Sequence, residues 1–530
     1  MKPDPLYEVE TIDNLKELIN YCAEKHGLKT AFCWLHGNKT VEKSFIDFKA
    51  DIKALGTYFS DSVIKNEKIA VIGENSYDWI LTFFAAVNGG NIIIPVDKEL
   101  ENEEIEDILV RSGVGILVYS DRLSDKIDSI KEHIAIKHLF NMKTVMPEML
   151  RKGAASQNKD FEDCKIDDSA LCAIIYTSGT TGRSKGVMLS HKNLASNALN
   201  SSKNHLLQQS SILFLPLSHT FSITAGLLYQ MYQGNINFIN SDLKNISNEL
   251  VEFCPHAIAA VPLFIETTHK RIWDSAKKMK KDRLLRAFIM TSNLLLFFNI
   301  DMRRKFFKSV LSSMGGNLSI IICGGAPLDV KLIKEFRSLG IEIFCGYGVT
   351  ECSPVVSLNR NRYFKDGSVG PVIPNCEVKI IDGEICVKGE SVMLGYYNDS
   401  QATEEAFCNG WFKTEDLGYI DDDGFLFVTG RKKNIIVLSN GINVCPEELE
   451  KRIMVIDHVV EVIVYQENNM IVAEIFPNLE ITNVKELINK AIDDLNMVLP
   501  KHKRIGSVKF RNTEFEKTTM KKIKRYTTIR

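Results

Sequence analysis

The sequence predicts an α/β protein: a large part built on mostly parallel sheet, then a small antiparallel unit, then a shorter mixed segment. Three observations carry that reading. Short β-branched runs alternate with helix-patterned stretches up to about residue 355, the rhythm of parallel strands joined by crossovers. After about 355 the texture changes to short alternating strands separated by turns such as Asp382-Gly383 and Asp423-Gly424. From 434 onward helix and strand patterns mix again, after the basic link Gly430-Arg431-Lys432-Lys433.

In order, residues 11–65 read as helices around a hairpin-like piece near Ala31–Trp34. Lys68–Ile72 (KIAVI), running into Gly73-Glu74-Asn75-Ser76, reads as a buried strand entering a helix. Asn91–Val96 and Gly115–Tyr119 are further strands, with helical patterns at Trp79–Val87 and Asn102–Val110. The alternation recurs at Ile212–Leu215, Ala257–Val261, Leu318–Ile322 and Glu342–Phe344. Glu377–Ile381, Glu384–Val387 and Gly424–Val428 supply the short strands of a barrel-like unit. Val459–Tyr465 and Met470–Ile475 read as strands and Val484–Val498 as a helix.

At 530 residues the chain exceeds one ordinary domain, and two to four folding units are expected. A net charge of −2, from 65 basic and 67 acidic residues, gives no global field for nucleic acid. The 12 cysteines lack C-x-x-C pairing, which fits reduced thiols in a cytoplasmic protein better than a disulfide or zinc framework. Met1–Glu10 is polar and acidic, unlike a secretory leader. No window reaches the roughly 18 apolar residues of a membrane span; Leu284–Ile300 comes nearest, broken by Arg286, Thr291, Ser292 and Asn293.

The chemistry concentrates in polar, glycine-rich segments after predicted strands, where open α/β sheets collect ligands. Tyr176-Thr177-Ser178-Gly179-Thr180-Thr181-Gly182-Arg183-Ser184-Lys185-Gly186 combines hydroxyls, glycines and a lysine, suited to a polyphosphate. It is not a Walker A loop, whose spacing it fails. Gly324-Gly325-Ala326-Pro327-Leu328 offers small residues against which a flat ring can lie. Gly346-Tyr347-Gly348-Val349-Thr350-Glu351 brings an aromatic face, a hydroxyl and a carboxylate together. Thr414-Glu415-Asp416-Leu417-Gly418 places acids beside an expected turn, where an Asp can accept from a ribose diol. Each segment taken singly also fits a plain turn, bend or helix cap.

Together with Leu215–Phe221 (LPLSHTF), Gly430–Glu450 and Lys517–Arg525 (KTTMKKIKR), these make seven motifs in one order. The chain resembles the adenylate-forming superfamily of acyl-CoA synthetases, peptide-synthetase adenylation domains and luciferases, and it looks nearest to fatty acyl-CoA synthetases. The resemblance implies an N-terminal domain at 1–432 with two mostly parallel sheet subdomains and a small β-barrel at about 356–432. It implies a hinge at Lys433 and a small mobile α+β domain at 434–530. It also implies ATP, Mg²⁺ and coenzyme A, with a carboxylate first adenylated and then passed to a thiol.

Residue by residue, the resemblance makes Thr177, Ser178, Gly179, Thr180, Thr181, Gly182 and Lys185 the clamp on the β- and γ-phosphates. Gly325, Ala326, Pro327, Gly346, Tyr347 and Gly348 would line the adenine slot. Thr350 would meet the α-phosphate, Glu351 would hold Mg²⁺, and Asp416 with Arg431 would bind the ribose. Lys522 would bridge carboxylate and α-phosphate, with Lys521 as the alternative register. Ser439, Asn440 and Gly441 would line a pantetheine tunnel. His219 would sit near the acyl carboxylate or tunnel mouth, or else be a structurally bonded core histidine. Ser184 and Asn434 depart from the usual Pro and acid without removing a catalytic charge.

Apolar and aromatic residues after LPLSHTF (Phe221, Ile223, Leu227, Leu228, Tyr229, Met231), with Val261-Pro262-Leu263-Phe264, fit either ordinary core or a tunnel for a medium- or long-chain fatty acid. In such a tunnel each buried CH₂ contributes about 0.8 kcal/mol. The alternative is an adenylating enzyme that loads a carrier protein. The basic, aromatic stretch His269–Lys308 fits a solvated helix face or contact with an anionic membrane.

Overall fold

The computed structural model describes residues 5–37, 39–62, 64–177, 184–205, 209–438, 443–468, 470–518 and 523–525. The chain divides into two compact units, one formed mainly by residues up to 377 with 388–405, the other by 378–387 with the chain from 406.

Among the described residues the first unit is built on two sheets. The seven-stranded sheet has at its centre the parallel strands Lys68–Ile72, Ile92–Val96, Ile116–Tyr119, His138–Asn141 and Leu171–Thr177. Ile69, Ala70, Val71 and Ile72 are wholly buried, as β-branched runs covered on both faces must be. The crossovers are cut by local signals: Ser76 caps the helix Tyr77–Asn88, accepting from the Trp79 N–H. Gly113, in the left-handed region, ends the helix Asn102–Ser112. Lys185–Ser190 then pairs antiparallel with Leu171–Thr177, and Gly395–Tyr396 adds antiparallel beyond it.

The eight-stranded sheet is parallel through Thr30–His36, Ile236–Ile239, Ser210–Leu213, Ala257–Ala260, Ile320–Cys323 and Glu342–Gly348, with an antiparallel strand at each edge. Both sheets of this unit are therefore mostly parallel, as expected.

The second unit holds a five-stranded antiparallel sheet, in which Trp411–Ile420 pairs with Glu384–Gly389, Phe407–Cys408 and Leu426–Arg431. Beyond it, Val459–Glu467, Met470–Pro477 and Ser507–Phe510 form a three-stranded sheet covered by the helices Pro446–Met454 and Val484–Val498. Ile436, Leu449, Ile453, Val464, Ile471, Ile488 and Ile492 close a core drawn from this stretch alone. The expected α+β arrangement is present. Thr414–Gly418, whose acids were expected beside a turn, lies inside the ten-residue strand Trp411–Ile420.

Candidate active site

In the first unit the reactive segments leave the carboxyl ends of parallel strands. Cys323 pairs with Cys345, so the segment Gly324–Pro327 departs level with Gly346-Tyr347. Gly325, Ala326 and Pro327 are exposed and Tyr347 is half-buried, which gives an open shelf beside a ring. The Gly348 position admits no side chain, since a Cβ there would overlap the Pro354 carbonyl. Thr350 and Glu351 follow in a single 3₁₀ turn, Thr350–Cys352.

That turn is held from below by Asn197. Its amide donates to the carbonyls of Cys352 (3.1 Å) and Val355 (2.8 Å) and to Ser391 Oγ (2.9 Å), and its oxygen accepts from the Val355 N–H (3.2 Å). From the side, Tyr396 donates its hydroxyl to Glu351 Oε1 at 2.9 Å. The Lys185 ammonium lies 4.7 Å from the centroid of the same Tyr396 ring. One tyrosine thus touches the phosphate-loop lysine and the carboxylate expected to hold metal.

The hairpin bearing the phosphate loop is closed by Thr177 opposite Lys185. Ser178, Gly179, Thr180, Thr181 and Gly182 lie outside the described residues. Both stems are tied to one helix. Arg111 donates to the Ser184 carbonyl and Oγ, each at 3.0 Å, and its guanidinium stacks 5.2 Å from the Tyr176 ring centroid. Burial raises the Tyr176 hydroxyl above its ordinary range.

The LPLSHTF segment is fixed from the other sheet. Asn75, after the strand Lys68–Ile72, donates to the carbonyls of Leu213 (3.2 Å) and Leu215 (2.9 Å) and accepts from the Leu217 N–H (3.1 Å). Asp97, after Ile92–Val96, places Oδ2 3.4 Å from His219 Nε2. A Cβ on Gly324 would stand 3.1 Å from the Phe221 ring, so that ring lies directly against the shelf. Beyond Phe221 the chain forms a π-helix, Ser222–Leu228. Ser222 and Gly226 with Ile212, Leu213, Phe214, Leu215 and Ala259 line a small apolar crevice, about large enough for a water molecule.

In the second unit Asp416 and Arg431 are cross-strand partners, joined Oδ1 to Nε at 2.9 Å, with the Asp416 carboxylate almost wholly buried. Lys432 pairs with Glu384 (2.7 Å) and Lys433 with Glu415 (2.8 Å). Near the C-terminus Lys517 and Ile523 bridge antiparallel, and Arg525 is clamped by the buried carboxylate of Glu450 and the Val464 carbonyl. Lys521, Lys522, Ser439, Asn440 and Gly441 lie outside the described residues.

The AMP-binding enzyme model matches residues 20–397. The chain belongs to the AMP-binding enzyme family. It is an AMP-forming acid–thiol ligase of the adenylate-forming superfamily. Among relatives, it is 30% identical over 426 residues to the long-chain-fatty-acid–CoA ligase FadD15 of Mycobacterium bovis, covering 76% of this chain and 71% of that one. It is 26% identical to the long-chain-fatty-acid–CoA ligase of Escherichia coli O6:H1, covering 74% and 72%. The fold matches the o-succinylbenzoate CoA synthetase of Bacillus subtilis bound to its acyl-adenylate, with a TM-score of 0.75 at 22% identity over 97% of this chain and 98% of that one.

Tyr396, Asn75, Asp97, Arg111 and Asn197 carry no motif of their own in the sequence. The readable signals were local and weak: Asn75 in a polar turn after a strand, and Tyr396 in a Gly-Tyr-Tyr-Asn run. Within the expected basic stretch, Arg303 is half-buried and pairs with Asp301 and Glu342, whereas Arg304 is exposed while it donates to the carbonyls of Gly316 and Leu318.

Proposed function

We propose that this family member activates a medium- or long-chain fatty acid and passes it to coenzyme A in the cytoplasm. The constellation Lys185–Tyr396–Glu351, together with the exposed Gly325–Pro327 shelf, carries the ATP half of the reading. Relatives named as long-chain-fatty-acid–CoA ligases support an acyl substrate.

Glu351 fits a magnesium ligand. It is a half-buried hard-oxygen donor oriented by Tyr396, and no cluster of three or more His, Cys, Asp or Glu side chains occurs among the described residues. That suits an ion that takes one carboxylate plus substrate phosphates. Such an ion would offset phosphate charge.

In the first step a substrate carboxylate oxygen bonds to the α-phosphorus as the bond to the β-phosphate bridge breaks, releasing pyrophosphate. Tyr347 stacks the adenine against Gly325-Ala326-Pro327, with Gly346 and Gly348 closing the slot. Thr350 donates to the α-phosphate, and Thr177, the 178–182 loop and Lys185 hold the departing phosphates. Asp416, paired with Arg431, accepts from the ribose hydroxyls. Lys522 offsets charge where two anions meet.

In the second step residues 434–530 turn about Lys433, exchange Lys522 for Ser439-Asn440-Gly441, and admit the thiol, whose sulfur displaces AMP from the acyl carbon. Breaking the Lys433–Glu415 pair accompanies that turn. His219, fixed by Asp97, orients the acyl carboxylate. Residues 1–432 and 434–530 act as the two bodies of this cycle.

Pyrophosphate release across acids of graded chain length, with coenzyme A or a carrier protein as acceptor, tests the proposal. We expect release to rise with chain length and thioester to form on coenzyme A. Transfer only to carrier protein would favour a loading enzyme, and release with no fatty acid of any length would refute the assignment. Lys522→Ala should abolish adenylation yet spare thioester formation from supplied acyl-adenylate.

A further inference from the structure

Lys185 is bracketed on both sides by the end of a single helix. Arg111 and Ser112 close the helix Asn102–Ser112, and Ser112 is wholly buried. On the residue before the lysine, Arg111 Nη1 donates to the Ser184 carbonyl and Nη2 to Ser184 Oγ, each at 3.0 Å. On the residue after it, the Gly186 carbonyl accepts from the Tyr397 N–H at 2.7 Å. The Tyr397 hydroxyl in turn donates to the Ser112 carbonyl at 3.4 Å. The opposite stem of the hairpin meets the same helix end. Ser112 Oγ lies 3.2 Å from the Tyr176 hydroxyl, and the Arg111 guanidinium lies 5.2 Å from that ring's centroid. Gly186 leaves room for the ring, since a Cβ there would stand 3.1 Å from it.

The guanidinium is itself oriented. Asp107, one turn earlier on the helix, takes Nε at 2.7 Å and Nη2 at 2.6 Å. Asp107 thus occupies one edge of the planar fork, and Ser184 occupies the next. With its charge met by Asp107 and these donors committed to protein groups, Arg111 is suited to fixing a backbone more than to gripping a phosphate. A lysine reaches its partner on a flexible four-carbon stem, so its ammonium has a defined place only if its root is fixed.

We propose that Arg111 is a positioning residue for nucleotide binding: it fixes the Ser184–Lys185 backbone so that the Lys185 ammonium is preorganised for the terminal phosphates of ATP. The inference rests on Lys185 being a phosphate-holding residue.

The test is calorimetric titration of the full-length protein with ATP and, separately, with AMP. AMP lacks the phosphates assigned to Lys185, so it reports on the rest of the site. Arg111→Met should weaken ATP binding about tenfold and leave AMP binding unchanged. Ser184→Ala, which removes one of the two bonds, should weaken ATP binding about threefold and add nothing in the Arg111→Met background. Arg111→Lys keeps the charge without the fork, and should still bind ATP about fivefold more weakly than wild type. Melting temperatures show which variants fold, and Ser184→Ala carries the test should Arg111→Met unfold. The proposal would be overturned if the folded Arg111→Met protein changed ATP and AMP binding equally or changed neither. Wild-type ATP affinity in Arg111→Lys would also overturn it, because charge alone would then suffice. Lys185→Met separates the proposal from the role beneath it. If that variant weakened both nucleotides equally, or neither, Lys185 would not hold the phosphates; if it weakened ATP alone while Arg111→Met did not, only the role of Arg111 would fall.

Discussion

Replacing Tyr396 by Phe separates two contacts that one side chain makes. The hydroxyl donates to Glu351 Oε1 at 2.9 Å, while the ring faces the Lys185 ammonium at 4.7 Å. Phe keeps the ring and deletes only the hydrogen bond. A hydrogen bond to a charged group contributes about 1.5–3 kcal/mol. Glu351 is half-buried, so the lower end applies, equivalent to about a tenfold change in an equilibrium constant. Groups that orient a metal's carboxylate ligand typically change affinity by about 10–100-fold, which agrees.

Calorimetric titration of ATP with and without Mg²⁺ reads the effect directly. Tyr396→Phe should weaken Mg·ATP binding about tenfold and leave metal-free ATP binding unchanged, whereas Tyr396→Leu, which also removes the ring beside Lys185, should weaken both. If Tyr396→Phe left the magnesium dependence intact, or lowered metal-free binding equally, the role assigned to the hydroxyl would be wrong.

Asn197→Ala strands two buried carbonyls and the Val355 N–H, and should cost about 3 kcal/mol in denaturant unfolding while loosening ATP binding through the Thr350–Cys352 turn. His205 is wholly buried, neither ring nitrogen has a described partner, and burial pushes its pKa down to about 3. A histidine with a depressed pKa contributes stability that is present above its unfolded pKa near 6.5 and drains away as pH falls toward 3. His205→Phe, packed against the Phe344 ring, should therefore move the midpoint of acid unfolding to lower pH. His191, pushed down to about 4 by burial, keeps part of that acid sensitivity in place. Asp78 runs the opposite way: burial, with Asp51 adding repulsion, pushes it up to about 6, so its ionisation opposes folding above that pH. Asp78→Asn should add about 1–2 kcal/mol at pH 8 and nothing at pH 4 by urea unfolding.

The parallel strands were legible because their residues are β-branched and covered on both faces, as in Lys68–Ile72 and Ile320–Cys323. Trp411–Ile420 was not, because Thr414, Glu415 and Asp416 read as turn chemistry. Their strand survives because Arg431 on the neighbouring strand neutralises Asp416, and Glu415 takes up the irregularity at a φ of 61°. Motif positions such as Tyr347, Thr350 and Glu351 could be named from sequence because their chemistry is carried within one segment. Their supports could not. Tyr396 meets Glu351 across 45 positions and Asn197 meets Val355 across 158, contacts that only the completed sheets create. Arg303 shows the converse: a residue that reads as basic surface is half-buried once its partners Asp301 and Glu342 are known.

The position of Tyr396 also bears on why the site is assembled from two antiparallel additions to a parallel sheet. Lys185 begins the strand that folds back on Leu171–Thr177, and Tyr396 belongs to the two-residue strand that pairs with Val187 and Met188. Parallel strands alone would deliver loops to the sheet's carboxyl edge, but they would not place a third side chain between two of those loops. The edge strand does this with a neutral group. A lysine and a glutamate brought together without it would neutralise one another, and a bound polyphosphate would have to break that pair before gaining either charge. Tyr396 meets the cation with its ring and the carboxylate with its hydroxyl, so both charged groups are held in place without being spent on each other. That arrangement is what a site must have if one nucleotide is to engage a cation through its terminal phosphates and a carboxylate through its metal.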